Sequence, residues 1–215
     1  MPPSSGPGKG AKPSKTAGPA TGVSSPSYKV HASEATLRLG PQLLQGVPGG
    51  SPLKITRLPL NALYIGLFAL PPIPGTFSWC LYLHKSAEKG GIRYQITGNS
   101  KNWMPIHQMN AGVFDSVSIV VGVRIGQIPE EALDLADGLI KADDGELNKI
   151  PGLDSHEVWA GRACERLKAN GFLEYPSWEA LRAEVLGHGR RLWDSADQNL
   201  QPRPTYDSRI CRLDQ

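Results

Sequence analysis

Apolar residues are spread unevenly along the chain, and the first sustained run is Ala62-Leu-Tyr-Ile-Gly-Leu-Phe-Ala-Leu70, closed by Pro71 and Pro72. So short and β-rich a run predicts a strand over 62–70 that is buried on both faces. Phe77-Ser-Trp-Cys-Leu-Tyr-Leu83 predicts a second strand. Its two-residue repeat sets Ser78, Cys80 and Tyr82 on one face, with Phe77, Trp79, Leu81 and Leu83 on the other. Lys89-Gly90-Gly91 then turns the chain into Ile92-Arg-Tyr-Gln-Ile-Thr97, a hairpin partner on which Arg93 and Gln95 share a face. Val117 to Ile125 supplies a fourth strand, and the short connections make the sheet mostly antiparallel.

Between and after these strands the apolar spacing changes to that of helices. Pro129 opens one at its first-turn position, with Leu133, Ala136 and Ile140 inward. Asp154 and Glu157 stand at capping-box spacing, which predicts a helix over 155–169 capped by Asp154 and stopped at Asn170-Gly171. Helical spacing aligns His156, Ala160, Ala163, Cys164 and Leu167 into a core-facing stripe. A last helix, 177–193, turns Trp178, Leu181, Val185 and Leu192 inward, and Gln201-Pro-Arg-Pro204 leads an extended tail. The expected fold class is α/β in the α+β sense, a small antiparallel sheet packed against helices in one domain spanning 53–215.

Residues 1–52 change the picture. As far as Ser27 they are Pro, Gly, Ser, Ala, Thr and Lys with a single Val, too little apolar surface to offset the entropy of ordering, so a disordered basic tail is expected. Leu37, Leu39, Leu43 and Leu44 give residues 28–52 limited apolar grip before the Gly-Val-Pro-Gly-Gly break at 46–50. The net charge of +3 is concentrated there: residues 1–50 carry five Lys or Arg against one Glu, which leaves 18 against 19 for the remainder. A neutral folded part argues against nucleic-acid binding, which needs basic charge on the face that meets phosphate. No apolar run is long enough to span a bilayer and no secretory leader is visible, so a cytoplasmic protein is expected. Cys80, Cys164 and Cys211 are far apart and read as reduced thiols, and Cys80 and Cys164, within apolar patterns, read as inert packing. His84, His107 and His188 have no neighbours at ligand spacing, and Asp143-Asp144-Gly145 lacks the further oxygen ligands of a calcium loop. No metal and no cofactor are expected.

Four stretches carry a resemblance: Phe77-Ser78-Trp79 running on to His84-Lys85, Tyr94-Gln95, His156-Glu-Val-Trp159, and Pro202-Arg203-Pro204 followed by Ser208 and Cys211. Together they resemble an uncharacterised fungal family of the permuted papain-like superfamily, which includes NlpC-type peptidases and lecithin-retinol-acyltransferase-like enzymes. The resemblance implies a nucleophilic Cys on the first turn of a helix, a His base on the adjoining strand and a third polar group on the next strand. A helix N-terminus would lower the thiol's pKa and stabilise an oxyanion. In this chain those positions hold His156, Ser78 and Gln95. All three are substituted.

The resemblance therefore implies a catalytically degenerate domain that binds a small molecule or a protein. The alternative is a hydrolase or acyltransferase with a rearranged centre, either Ser78 as nucleophile with His156 as base, or a thiol displaced to Cys80 on the same strand face as Ser78.

Overall fold

The computed structural model describes residues 58–70, 73–99, 101–110, 113–201 and 203–213. The tail expected over residues 1–52 lies outside them. Six strands form one sheet: β1 (Ala62–Ala69), β2 (Phe77–Ser86), β3 (Gly90–Thr97), β4 (Met104–Asn110), β5 (Ile119–Gln127) and β6 (Thr205–Asp207). Their order is β4-β3-β2-β1-β5-β6, and every pairing is antiparallel except that of β5 with β6. Three helices accompany the sheet: α1 (Leu133–Lys141), α2 (His156–Ala169) and α3 (Trp178–Asp197). The architecture is α+β, as the pattern predicts.

All three helices belong to one face of the sheet. Leu63, Ile65 and Leu67 of β1 meet Phe77, Trp79, Leu81 and Leu83 of β2 there, in one core with Trp159, Ala160, Ala163, Cys164 and Leu167 of α2. Ala160, Ala163, Cys164 and Leu167 of the predicted α2 stripe are buried, with Trp159 added to them, while His156 at the start of the stripe is half-buried. A smaller core of Ala62, Tyr64, Phe68, Cys80, Tyr82, Val113 and Ile119 occupies the opposite face. That second core is why β1 is apolar at both parities, since each side of the central strand is shut off from water.

Several local expectations shift. The fourth predicted strand begins at Ile119 rather than Val117, whose side chain is exposed. A strand the pattern did not announce, β4, forms the edge beside β3. The tail after Pro204 is likewise a strand, β6, alongside β5. The helix expected from Pro129 begins with one 3-10 turn, Glu130–Ala132, before α1. Asp154 does not cap α2. Ser155 does, its hydroxyl accepting the Val158 N–H at 3.2 Å, while Glu157 pairs with Arg182 of α3. Ser and Asp are equivalent caps, and the frame with Ser at the cap frees Glu157 for an ion pair between helices.

Polar contacts hold the loops to this frame. Asn148 returns both of its amide groups to the backbone of Trp103, at 2.6 and 3.0 Å, and so extends the ladder beside the start of β4. Ser208 donates to Glu184 at 2.6 Å while the Arg209 N–H donates to the other oxygen of that carboxylate at 2.7 Å, which docks the last segment on α3.

Three histidines are held neutral by burial, which disfavours imidazolium: His84 on β2, His156 at the start of α2 and His188 on α3, the last also beside Arg191. Their folded pKa values lie below the unfolded value, so the unfolded chain binds more protons at mildly acid pH. Stability from these groups is complete above the unfolded value of about 6.5 and is lost as pH falls from there through the folded values. The urea midpoint is expected to fall between about pH 7.5 and about pH 5.5, a range in which ordinary carboxylates stay ionised. An unchanged midpoint would show that these rings take up protons as readily in the folded chain as in the unfolded one.

Candidate functional site

Ser78 and Gln95 meet. They project from β2 and β3 on the face away from the helices, and the Gln95 amide donates to Ser78 Oγ at 2.7 Å. Ser78 is almost fully buried. On the same face the Arg93 guanidinium lies 5.5 Å over the Phe68 ring and donates to Gln108 at 3.0 Å. This is a strand-to-strand polar pair with no imidazole bonded to its hydroxyl, and a serine without a neighbouring base is a poor nucleophile.

His156 belongs to the other face. It is the first residue of α2, half-buried, with its ring edge-on to Trp103 at 5.2 Å. Trp103 lies in the helix-side core and donates its indole N–H to Leu153 O at 3.0 Å. The sheet therefore stands between His156 and the Ser78/Gln95 pair, and the three positions do not share a cleft. Cys80 points to the same face as Ser78 and is fully buried.

The helix face holds a different constellation, which sequence spacing does not reveal. His107 of β4 places its ring between Tyr94 of β3, at 5.4 Å, and Trp159 of α2, stacked at 6.4 Å and 25°. Its Nε2 lies 2.9 Å from Asp144 Oδ2. With the proton on Nε2 shared with the carboxylate, Nδ1 presents a lone pair. That Nδ1, the second oxygen of Asp144 and the indole N–H of Trp159 are all buried without a hydrogen-bond partner. Each such group costs about 1–3 kcal/mol, which a folded domain tolerates at positions that serve a purpose.

The surroundings keep this pair in place. Asp143, next to Asp144, is clamped by Arg162 at 2.9 and 3.2 Å and by Arg166 at 2.7 Å. Arg166 also donates to Leu139 O and Ile140 O at the end of α1, so one guanidinium fixes both the helix and the loop that carries Asp144. Burial alone would raise the Asp143 pKa, yet the two arginines outweigh it and hold the carboxyl below its usual value. On the other flank Tyr94 donates to Asp137 at 2.7 Å, and Asp137 also takes Lys141 at 2.7 Å. Burial, reinforced by the Asp137 carboxylate, pushes the Tyr94 hydroxyl far up, so it stays protonated as a donor.

Chemically, His107 is an imidazole oriented by a carboxylate with one free acceptor, between two aromatic rings. In general such a group accepts a hydrogen bond or a proton from a partner that reaches it; here Nδ1 is enclosed by protein. No serine, threonine or cysteine is bonded to it among the described residues. The sequence signal is slight: Trp103, just ahead of β4, and His107 and Met109 within it share one parity, interrupted by Pro105. Asp144 comes 37 residues later, in a run that reads as solvated loop.

Set against family models, curated proteins and solved structures, the chain matches none of them. Among the described residues no three His, Cys, Asp or Glu side chains come together as a metal site would need, and no helix is long and apolar enough to cross a membrane. An open groove of about 960 Å³ runs between α2 and the start of α3, past Val158, Gly161, Pro176 and Trp178. Arg162 and Arg166 also line it, but both are committed to Asp143.

Proposed function

We propose that this chain is a catalytically degenerate domain of the permuted papain-like kind, which binds a small molecule or a protein partner and performs no thiol acyl chemistry. The state of its thiols carries the proposal. Cys80, Cys164 and Cys211 are the three cysteines of the chain, and all are buried. Burial pushes the Cys80 thiol up to about 12 and the Cys211 thiol up to about 11, and drives Cys164 further still. The thiolate is the attacking species, so none of the three is a competent nucleophile near neutral pH. The helix start that resembles a nucleophile position carries His156, and the strand position that resembles the base carries Ser78, which faces away from it.

A cysteine-directed acyl probe tests this on the full chain. No labelling is expected in native buffer, with reaction at the cysteines once denaturant exposes them. Labelling of the native chain that disappears in Cys80→Ala, together with turnover of a thioester or amide, would overturn the proposal by showing an active displaced thiol.

A second reading is favoured by one observation, the orientation of His107 by Asp144: a hydrolase in which His107 activates water. Ester turnover that resists thiol reagents and falls by about 100-fold or more in His107→Gln would establish it. The Ser78/His156 pairing makes a different demand, since turnover would have to vanish in Ser78→Ala as well as in His156→Ala. The opposed faces of these two residues argue against that outcome.

A further inference from the structure

β4 is an edge of the sheet, and among the described residues no strand lies beyond it. Successive residues of a strand turn their backbone N–H and C=O to alternate sides. Trp103, directly ahead of β4, gives both of these groups to the Asn148 side chain rather than to β3. Continued along the strand, that phase has Met104, Ile106 and Gln108 bonding to β3, while Pro105, His107 and Met109 turn their backbone outward. The phase also suits Pro105, since a residue without an N–H is tolerated where the ladder is open. Asn148 and Pro105 thus close the first half of the edge. The outward backbone of His107 and Met109 leaves the second half open.

An edge meant to stay in water is usually guarded by charge. The stretch 102–110 contains no Lys, Arg, Asp or Glu, and Met109 within it is 63% exposed. We propose that this half of β4 pairs antiparallel with β4 of a second copy of the chain, about a two-fold axis through Gln108. In that register His107 of each copy faces Met109 of the other, and each such couple exchanges a pair of backbone hydrogen bonds. Every outward N–H from 104 to 109 is then used, and neither Pro105 nor Asn148 stands in the way. The absence of charge is what selects a second copy as the occupant. A two-fold axis sets the residue on it against its own twin, so a charged residue there would repel itself, whereas an amide is self-complementary. Gln108 Oε1 accepts from Arg93 at 3.0 Å and keeps a second lone pair for the amide N–H of the other Gln108. Pairing also takes part of the Met109 side chain out of water. The binding-module reading neither needs this interface nor falls with it.

The experiment follows the mass of the full chain by sedimentation equilibrium under reducing conditions. So short a pairing is expected to be weak, and the average mass should climb from one chain toward two between about 5 and about 500 μM. Gln108→Lys sets two ammonium groups opposite each other, beside both copies of Arg93, and should keep the mass of one chain throughout. Gln108 is exposed, so this variant should retain the circular dichroism of the parent chain. Crosslinking reads the register. Residues that face each other across the axis without exchanging backbone bonds have Cα atoms about 4.5 Å apart, within disulfide reach. Gln108→Cys should therefore give a disulfide-linked dimer in oxidised glutathione, whereas Met104→Cys, exposed on the same face but farther from the axis, should not. A parent chain that keeps the mass of one chain at about 500 μM would refute the proposal and leave the edge to an extended segment of some other protein. A dimer that persists in Gln108→Lys would refute it too, as would crosslinking of Met104→Cys as fast as that of Gln108→Cys.

Discussion

Arg203→Ala is expected to cost about 3 kcal/mol or more of folding stability, a large share of the roughly 5–15 kcal/mol that holds an ordinary domain together. The guanidinium bonds to Val117 O ahead of β5, to Ser195 O and Ala196 O in the last turn of α3, and to the loop at Asn199 and Leu200. Hydrogen bonds from a charged donor contribute about 1.5–3 kcal/mol each, and acceptors left in a dry space forfeit their hydration as well. Relief from burying an unpaired charge offsets part of that loss, which is why the sum is well below five independent bonds. Equilibrium urea unfolding measures the difference. A loss under about 1 kcal/mol would mean that water replaces the guanidinium at this site.

Gly91→Ala is expected to be at least as damaging, at about 4 kcal/mol, which places it in the exceptional tail of single substitutions. A Cβ on Gly91 would stand 1.9 Å from the carbonyl oxygen of Leu83 and 2.8 Å from the Cα of His84. These are backbone atoms of the neighbouring strand and have no side-chain freedom with which to yield. Gly91 is paired with His84 on one side and Asn110 on the other, so the strain must open β2 from β3 or carry β4 away with β3. Faster amide exchange over 104–110 should accompany the loss of stability, since among the described residues no strand lies beyond β4. Gly138→Ala is the control with opposite sign: a Cβ there meets nothing within 4 Å, and replacing an exposed helical glycine should stabilise by about 0.5–1 kcal/mol.

These effects show which parts of the chain were legible from residues alone. β1, β2, β3, β5, α2 and α3 carry apolar patterns long enough to mark them, and most of the positions those patterns turn inward are buried, His156, Trp178 and Leu192 only partly so. β4 has Pro105, His107 and Gln108 within it, exposes Met104 and Met109, and is an edge, so neither propensity nor alternation marks it strongly. β6 is three residues long and depends on β5 for its existence.

The site shows a subtler limit. Alternation correctly put Ser78 with Cys80 and Tyr82, and Gln95 with Arg93. It could not say which face the helices would cover, because β1 and β2 are buried on both sides and a pattern of period two is blind to which side is which. His156, grouped with Ser78 and Gln95 by the resemblance, packs on the helix side against Trp103 instead. His107 and Asp144 were invisible for another reason: their encounter depends on a loop pinned by Asp143, Arg162 and Arg166, and side-chain clamps of that kind leave no periodic trace.

The parallel strand β6 also has a consequence for how the protein is made. Arg124 of β5 meets Asp207 across a sequence separation of 83 residues. At ribosomal speed that interval is on the order of ten seconds, during which β5 is already synthesised and its outer edge has no partner strand. An unpaired edge of the sequence Ile-Val-Val-Gly-Val-Arg-Ile-Gly-Gln invites pairing with the edge of another nascent chain. Arg124 falls near the middle of that segment, and before Asp207 is made its positive charge opposes such pairing, so the residue that later secures the sheet also guards the strand while the polypeptide is incomplete.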